Sequence, residues 1–402
     1  MRLPGIIAVD VGGTKIRAGS VVDGVLGHVR TVPTPASAGA QAILDTITEA
    51  AASVIAEAGR GGEDGTDRGA EAGHSAATEP GRDAAVSEWR IGVGAAGVID
   101  PVTGTVVSAT DSLSGWTGTR LVAELEARTQ LRVRAVNDVH AHALGEAWSG
   151  ASRGTGSSLL VAAGTGIGGG ILWDRRLVTG RNSAAGHIGH LPAPAAAGLP
   201  CPCGATGHVE AIASGPAILA TYRRLLAHDQ QSRQEAEAPT PHTSAVQGPV
   251  GAPEPAAAPY PPAAPGQAAA PGQAGEPSPT GAPGPATTRD LAAIASAGDP
   301  LAKRAFEIGA RALGAALGGI ANVASPEVIV IGGGLAETDE TWWAPLREAF
   351  AAELIPATTG TPLRKGALGQ DAALLGAAGL WTAEAGPWNH QNRETCEKEE
   401  TH

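Results

Sequence analysis

Four side chains that can bind a transition metal lie close together in the sequence, in the order His190, Cys201, Cys203 and His208. Zn²⁺ is held tetrahedrally by four thiolate or imidazole ligands, and two cysteines with two histidines form a common structural set. The alternative is a pair of reduced core cysteines beside unrelated histidines. The spacing predicts a closed zinc site that scaffolds a short glycine-rich loop and leaves no ligand position open for catalysis.

Two glycine-rich turns, far apart in the chain, each separate two strand-like runs. The first turn contains Asp10, Gly12, Gly13, Thr14 and Lys15, and the second contains Gly164, Thr165, Gly166 and Gly168. Successive backbone N–H groups in such turns can converge on a phosphate, and Asp10 offers a carboxylate to a nucleotide-bound Mg²⁺. An ordinary tight hairpin is the alternative for the first turn. A third glycine run after a strand pattern suits the adenosine side of a nucleotide, with an ordinary strand-to-helix turn as the alternative: Gly332, Gly333 and Gly334.

The second turn also matches the dinucleotide pattern G-x-G-x-x-G at Gly164, Gly166 and Gly169. That pattern needs a helix after the turn, whereas Ile171-Leu172-Trp173 is typical of a strand. Two strand–turn–strand units instead predict two lobes that hold one nucleotide between them.

Asn137 and Asp138 follow a strand pattern and precede a helix pattern. Ligands of α/β proteins bind at the carboxyl ends of strands, so Asp138 is a candidate general base and Asn137 a candidate for binding a hydroxyl group. The alternative is a helix N-cap, a position that both residue types favour.

The rest of the chain alternates strand and helix patterns and predicts an α/β fold in two halves, each of which opens with a β-hairpin. Composition shifts mark three additions to this fold. They are a flexible insert at 59–83, a Pro/Ala-rich insert at 230–288 that we expect to be disordered, and a flexible tail at 387–402. A helix is predicted near 370–384.

A net charge of −12 argues against nucleic-acid and anionic-membrane partners, which favour clustered basic residues. The sequence also lacks an apolar run of the roughly 18 residues that a membrane span needs. The first four residues lead directly into a strand pattern without a signal-peptide core, so we expect a cytoplasmic protein.

These motifs, taken in their order along the chain, resemble those of the ROK family (repressors, open reading frames and kinases). The segments Gly186–His190 and Cys201–Glu210 contribute to the same resemblance. The resemblance extends from about residue 6 to residue 382, without the inserts. It implies a two-lobed actin-like ATPase fold, related to ribonuclease H, with a nucleotide and sugar cleft between the lobes. By this resemblance the N-terminal lobe is 1–120, completed by the helix at 370–384, and the C-terminal lobe is 121–369 with a zinc and sugar loop at 186–210.

The resemblance further implies ATP- and Mg²⁺-dependent phosphorylation of a hexose or N-acetylhexosamine, with Asp138 as the base. Sugar contacts are assigned to Asn137, His187, His190 and Glu210. The family's third zinc-binding cysteine is His208 in this chain, a change that zinc tolerates. The resemblance also implies a homodimer or a higher homo-oligomer.

The sequence Ala-Gly-His-Ile-Gly-His at 185–190 is similar to that of bacterial N-acetylmannosamine kinases, whereas many glucose-phosphorylating members carry Glu in place of His187. We therefore expect N-acetylmannosamine 6-phosphate as the product, with a glucokinase or an N-acetylglucosamine kinase as alternatives. A sugar-sensing regulator without catalytic activity is less compatible with an intact Asp138 and two phosphate turns. Repressor members carry a helix-turn-helix before the first phosphate turn, and here that turn begins at Asp10.

Overall fold

The computed structural model describes residues 5–60, 89–110, 112–237 and 284–381. The chain divides into two compact units. The first comprises Met1–Gly189, Gly319–Glu337 and Leu354–His402, and the second comprises His190–Gly318 and Thr338–Glu353. Most of both predicted inserts and the predicted tail lie outside the described residues, and the predicted lobe boundary near residue 120 stays a prediction.

A five-stranded sheet is formed by the N-terminal part of the first unit. Its strands are β1 (Ile6–Val11), β2 (Lys15–Val22), β3 (Val25–Pro33), β4 (Arg90–Ala95) and β7 (Arg132–Asn137). They lie in the order β3-β2-β1-β4-β7. The predicted hairpin of β1 and β2 is confirmed, and β1 pairs with β4 in parallel. The segments that connect the strands of this sheet contain α1 (Ala40–Arg60), the small ribbon of β5 (Val98–Asp100) and β6 (Thr105–Ser108), and α2 (Leu121–Thr129).

A second five-stranded sheet in the same unit repeats this arrangement. Its strands are β8 (Ser158–Ala163), β9 (Ile167–Trp173), β10 (Arg176–Val178), β11 (Val328–Gly332) and β12 (Leu363–Lys365). The order is β10-β9-β8-β11-β12, with two antiparallel pairings followed by two parallel ones, as in the first sheet. The two sheets share this arrangement without a sustained repeat in the sequence. A buried strand requires apolar side chains but not particular residues, so similar strands can have different sequences.

Two helices pack closely together within the first unit. Helix α3 (Asp138–Ser149) contacts strands of both sheets, and α9 (Ala372–Gly379) packs against α3 and the first sheet. All residues of α9 are buried, as expected for a helix that is apolar on every side. The α9 helix lies inside the range predicted as helical at 370–384.

The crossing of α3 and α9 depends on glycines. A Cβ added at Gly376 would lie 1.6 Å from the carbonyl oxygen of Ala141, and one added at Gly145 would lie 2.0 Å from the carbonyl oxygen of Ala372. These distances are far below van der Waals contact. Any larger side chain at either position must push the two backbones apart.

Replacing Gly376 by Ala is therefore expected to destabilise the fold by about 3 kcal/mol, at the upper end of overpacking effects. The matched control is Gly319→Ala in α7 (Pro300–Ala324), where an added Cβ meets nothing within 4 Å. This control should stabilise the chain by up to about 1 kcal/mol, because Ala is the better helix former. Urea unfolding followed by circular dichroism measures both changes, and equal midpoints would contradict the close crossing.

Helices dominate the second unit. Those lying wholly or mostly in it are α4 (Glu210–Ala213), α5 (Gly215–Glu237), α6 (Thr288–Ser296), α7 and α8 (Glu340–Glu353). The predicted disorder at 230–288 is wrong at its N-terminal edge, where residues 230–237 continue α5. These residues are mostly Gln, Glu, Arg and Ala, which have high helix propensity.

The sequence analysis also missed α6, which begins where the predicted insert ends. Its start is a capping box: the Thr287 hydroxyl accepts a hydrogen bond from the Asp290 N–H at 3.1 Å, and the Asp290 carboxylate accepts one from the Thr287 N–H at 2.9 Å. The Thr-x-x-Asp spacing was the available signal.

Among the described residues, no helix combines the length and the apolar character that a membrane crossing requires.

Candidate active site and metal centre

The turn between β1 and β2 places Asp10 at the carboxyl end of a central strand. Asp10 is paired with Arg17 across the hairpin and with Gly94 on β4. The turn is closed by the Gly12 N–H, which donates to the Lys15 carbonyl at 3.0 Å. Thr14 and Lys15 are exposed at its tip, where they can meet a ligand.

Two residues from the loop before α9 hold the cationic side chains of this turn. The Lys15 ammonium donates to the Gln370 side chain at 2.8 Å, and Arg17 forms a 2.7 Å ion pair with Asp371. Arg17, which is largely buried, also donates to the Gln370 carbonyl. The sequence analysis missed Arg17, although an arginine within an apolar strand was a signal. No sequence signal pointed to Gln370, because it lies 355 positions from Lys15.

The second glycine turn and the third glycine run lie side by side. Strands β8 and β11 are parallel neighbours, so their carboxyl ends meet at one edge of the sheet. A Cβ added at Gly164 would lie 3.8 Å from the Gly334 nitrogen. Gly333 adopts a left-handed φ of 85°, and a Cβ there would lie 2.4 Å from the Ala163 carbonyl oxygen. Only glycine fits at position 333, which lets the two backbone segments approach closely here.

Both glycine turns converge on the first turn of α3. On the β1–β2 side, a Cβ added at Gly94, the neighbour of Asp10, would lie 3.5 Å from the Asp138 Cα. On the β8–β9 side, a Cβ added at Gly168 would lie 3.0 Å from a methyl carbon of Val139. The two turns therefore flank consecutive residues of one helix.

Asn137 ends β7 and caps α3. Its side-chain oxygen accepts hydrogen bonds from the N–H groups of Val139 at 2.9 Å and His140 at 3.2 Å, and its amide donates to the Gly97 carbonyl at 2.8 Å. The N-cap alternative is thus observed. The cap fixes Asp138 at the first helical position, and a sugar contact by Asn137 stays a prediction.

The carboxyl groups of Asp10 and Asp138 influence each other. Burial raises the pKa of Asp10 to about 6; the nearby Asp138 carboxylate adds to the rise, and the positive charges of Arg17 and Lys15 oppose it. Burial also raises the pKa of Asp138, against the hydrogen bonds from the Val139 N–H and the Asn137 side chain. A pair of partly buried carboxylates beside a glycine turn fits a proton or a divalent cation such as Mg²⁺.

These pKa shifts predict the acid limb of the pH–rate profile. The sequence predicts that Asp138 is a general base, and such a base must be ionised; on that prediction kcat/KM should fall as the pH drops through the pKa of Asp138, with a midpoint above the ordinary value of about 3.9. The two carboxyls titrate as a pair, so the limb belongs to the pair and not to one residue. Initial rates between pH 4 and 8 measure it, and a flat profile down to pH 4 would contradict a base of raised pKa.

His187 lies on a loop that α3 holds in place. The His187 ring donates from Nδ1 to the Ala184 carbonyl at 2.9 Å, and the buried His140 ring of α3 donates from Nε2 to the Ala185 carbonyl at 2.8 Å. The Nδ1 hydrogen bond leaves Nε2 of neutral His187 as an acceptor. The sequence analysis missed His140, a positioning residue three places after Asn137.

His142, also missed, lies beneath the third glycine run. Its Nε2 is buried and has no hydrogen-bond partner among the described residues. Its ring is so close to Gly332 that a Cβ there would lie 2.8 Å from the ring carbon Cε1. A buried polar atom without a partner, beside turns that only glycine can form, fits a site that binds a polar ligand.

The four predicted metal ligands come together in the second unit. The ligand atoms of His190, Cys201, Cys203 and His208 all lie within 4.8 Å of one another. The Cys201 sulfur is 3.7 Å from His190 Nδ1, and the Cys203 sulfur is 3.3 Å from His208 Nδ1. Tetrahedral zinc with bonds of 2.0–2.3 Å would separate its ligand atoms by about 3.3–3.8 Å. The donor set therefore fits a zinc ion.

The loop around these ligands is an irregular ribbon. Pro192 and His208 form an antiparallel bridge, and the Cys201 N–H donates to the Ala205 carbonyl at 2.8 Å. Burial raises the pKa of the Cys201 thiol to about 11, so its thiolate needs a cation. Glu210 follows as the first residue of α4, and the sugar contacts assigned to His190 and Glu210 stay predictions.

Comparison with known proteins decides the family. A model of the ROK family matches residues 77–384, which is most of the chain. The chain belongs to the ROK family. Its ROK relatives include a glucokinase from Halalkalibacterium halodurans, 31% identical over 291 residues that cover 72% of this chain and 75% of the relative. An N-acetylmannosamine kinase from Shigella flexneri is 31% identical over 245 residues, 60% of this chain and 70% of the relative.

Solved ROK structures share the fold along nearly the whole chain. A ROK family glucokinase from Streptomyces griseus, in complex with glucose and AMPPNP, has a TM-score of 0.65 at 27% identity and covers 94% of this chain and 98% of its own. A ROK hexokinase from Thermus thermophilus has a TM-score of 0.63 at 29% identity, with coverages of 93% and 96%. This ROK protein is an ATP-dependent sugar kinase with the actin-like ATPase fold. The predicted family, fold and enzyme class are confirmed.

Proposed function

We propose that this kinase transfers the γ-phosphate of ATP to the 6-hydroxyl of N-acetylmannosamine, with Asp138 as general base. The hydroxyl oxygen attacks the γ-phosphorus, its proton passes to the Asp138 carboxylate, and ADP leaves. The observation that carries the proposal is the place of Asp138 at the start of α3, where both glycine turns converge. Burial raises the pKa of Asp138, which is the direction in which enzymes shift a carboxylate that acts as a general base.

The nucleotide is proposed to lie on backbone groups of the two turns and the third glycine run. Lys15, held by Gln370, supplies a positive charge to the phosphates. Asp10 is the proposed ligand of Mg²⁺, which when bound neutralises charge on the transferred phosphate. The four clustered Cys and His side chains are proposed to hold a structural Zn²⁺ that orders their loop.

The proposed preference for the N-acetyl sugar rests on His187. A neutral imidazole nitrogen accepts one hydrogen bond and lacks the negative charge of the Glu found in many glucose-phosphorylating members. That difference alters the recognition of hydroxyl groups. The relatives named N-acetylmannosamine kinase support this choice. Glucose is the second candidate, because the relatives named glucokinase align over larger shares of the chain.

A coupled ADP-release assay with N-acetylmannosamine, N-acetylglucosamine, glucose and mannose tests the sugar. We expect kcat/KM to be highest for N-acetylmannosamine by about tenfold or more, the scale of one changed pocket contact. The variant His187→Glu should move the ratio toward glucose. A preference for glucose in the unmodified chain would make it a glucokinase, and turnover of none of the four would contradict the proposed function.

We further propose that the kinase is a cytoplasmic homodimer or higher homo-oligomer. Its acidic composition agrees with a protein that meets small sugars and nucleotides and not polyanions. Light scattering at micromolar concentration measures the assembly, and a monomeric mass would contradict it.

A further inference from the structure

Helix α3 carries a second carboxylate further along from Asp138, and this one is fully buried. The Glu146 Oε2 accepts hydrogen bonds from the N–H groups of Ala151 at 2.7 Å and Ala367 at 3.1 Å. Its Oε1 accepts one from the Leu368 N–H at 2.9 Å. Hydrogen bonds to an ionised acceptor are roughly twice as strong as those between neutral groups. Glu146 therefore ties the end of α3 to the loop that follows β12.

Backbone encloses this carboxylate closely on two sides. A Cβ added at Gly366 would lie 2.9 Å from Glu146 Oε1, and one added at Gly150 would lie 2.1 Å from Oε2. Both distances are shorter than the normal contact between a carbon and an oxygen atom. A larger side chain at either position would push the carboxylate away from its N–H donors. The two glycines thus leave the room that the contact between Glu146 and the loop needs.

The loop that Glu146 binds also holds the lysine of the first glycine turn. Gln370 lies in a short 3₁₀ helix, Gly369–Asp371, that comes directly after Leu368. The Gln370 side chain accepts a hydrogen bond from the Lys15 ammonium at 2.8 Å. At its other end the loop enters the fully buried α9. Gln370 is therefore fixed from two sides, by Glu146 before it and by α9 after it.

We propose that Glu146 is a positioning residue for nucleotide binding that acts through this loop on Lys15, which rests on the proposed role of Lys15 at the phosphates of ATP. A lysine side chain is flexible, and ordering it at the moment of binding lowers the affinity. Glu146 holds the loop and Gln370 holds the ammonium, so much of this ordering precedes binding. The ammonium has three N–H donors, and its bond to Gln370 leaves others for phosphate oxygens.

Glu146 does not itself reach the reacting atoms. It lies on α3 about 12 Å along the helix axis from Asp138, the proposed base. Its three hydrogen bonds are to backbone N–H groups. Its effect on ATP must therefore pass through the loop, and this predicts a change in nucleotide affinity that depends on Lys15.

The variant Glu146→Gln weakens the contact with the loop at nearly constant shape. A glutamine side chain has one acceptor oxygen in place of two. If that oxygen keeps the N–H groups of Ala151 and Ala367, the NH₂ group faces the Leu368 N–H and cannot accept its hydrogen bond. The loop should then loosen next to Gln370 and hold the Lys15 ammonium less firmly.

Isothermal titration of the full chain with Mg²⁺ and the ATP analogue AMPPNP measures the effect without any sugar. Lys15→Gln should weaken binding about tenfold or more, the loss expected for a charged hydrogen bond. Glu146→Gln should weaken it about threefold to tenfold, the cost of immobilising one flexible side chain on binding. The double variant should bind as Lys15→Gln alone does, because Glu146 acts through Lys15. In kinetic assays Glu146→Gln should raise the KM for ATP by the same factor and leave the KM for the sugar unchanged.

The matched control is Glu327→Gln. Glu327 is an exposed carboxylate that also accepts backbone N–H groups, those of Gly156 at 3.0 Å and Ser157 at 3.2 Å. It precedes β11, whereas the third glycine run lies at the other end of that strand, so its AMPPNP affinity should equal that of the unmodified chain.

Three results of the titration would overturn the proposal. Unchanged affinity of Glu146→Gln beside a weakened Lys15→Gln would show that the loop does not position Lys15. An equal further loss from Glu146→Gln in the Lys15→Gln background would show a general structural role. Full affinity of Lys15→Gln would contradict the proposed phosphate contact of Lys15 and, with it, the role of Glu146.

Hydrogen exchange replaces the titration should Glu146→Gln not fold. The amides of Ala367 and Leu368 are bound by the Glu146 carboxylate, and AMPPNP should slow their exchange in the unmodified chain, because coupling between two sites is reciprocal. This slowing should be lost in Lys15→Gln. Exchange that AMPPNP leaves unchanged, or slows equally in Lys15→Gln, would overturn the proposal.

Discussion

Asp138→Asn is expected to lower kcat by about 10²- to 10⁴-fold, the contribution of a positioned general base. Asparagine keeps the size of the side chain and its hydrogen bond from the Val139 N–H, so the start of α3 should persist. The KM values for ATP and for the sugar should change little, because the amide removes a proton acceptor and leaves the glycine turns intact. Coupled ADP-release kinetics measure the effect.

The matched control is Asp174→Asn, an exposed residue in the turn between β9 and β10. Its backbone is left-handed, which Asn tolerates, and its kcat should equal that of the unmodified chain. Near-normal turnover of Asp138→Asn would remove Asp138 from the catalytic role.

The same variant should raise the free energy of unfolding at neutral pH. A carboxyl whose pKa is higher in the folded than in the unfolded state binds its proton more tightly when folded. Folding stability therefore falls as the pH rises from about 4 through the folded pKa, and above it the full penalty of a buried charge remains. Replacing Asp138 by a neutral amide removes that penalty, so the gain should vanish below about pH 4. Urea unfolding of the variant and the unmodified chain measures this: the variant should be more stable at pH 7.5 and equally stable at pH 4.

Cys203→Ser is expected to abolish zinc binding, from about one ion per chain to less than about 0.1. The thiolate is one of four ligands whose atoms lie within 4.8 Å of one another, and a hydroxyl cannot replace it as an anionic sulfur ligand. Structural zinc contributes about 10–16 kcal/mol of binding energy in small zinc-dependent folds at neutral pH, and this energy orders the chain. The ribbon around Pro192 and His208 should therefore unfold locally. Elemental analysis measures the metal, and hydrogen exchange of amides at 191–209 measures the order.

The control for this variant is Thr206→Ser, an exposed residue of the same ribbon that is not one of the four clustered side chains. It should retain zinc and normal hydrogen exchange in the ribbon. Treatment of the unmodified chain with a chelator should reproduce the exchange pattern of Cys203→Ser. Full protection of the ribbon in metal-free protein would contradict a scaffolding role for zinc.

Local sequence signals were reliable where the conformation of a short segment depends on residues within that segment. The hairpin around the first glycine turn was predicted, and β1 and β2 pair as antiparallel neighbours on either side of that turn. The metal ligands are close in sequence, so their spacing alone brought them together. Predictions made from composition were less accurate. The proline-rich sequence after residue 238 led to a predicted insert that began at residue 230, although α5 continues to Glu237.

Contacts between distant segments had no such signal. Gln370 and Asp371 hold Lys15 and Arg17 across more than 350 positions, and Leu368 donates to Glu146 across more than 200. A glycine of β9 is a further case. Gly168 was assigned to a phosphate-binding turn, and the structure also packs it against Val139 of α3.

The sequence by itself determined the α/β fold class, the first hairpin, the cluster of four candidate metal ligands and Asp138 as the candidate base. These follow from residue type and spacing over a few positions, which set local conformation directly. Only the tertiary structure decided that both glycine turns flank α3, that burial raises the pKa values of Asp10 and Asp138, and that the buried Glu146 binds the loop beside Gln370. The physical reason is that burial and charge proximity depend on packing between segments remote in the chain, which no local pattern encodes.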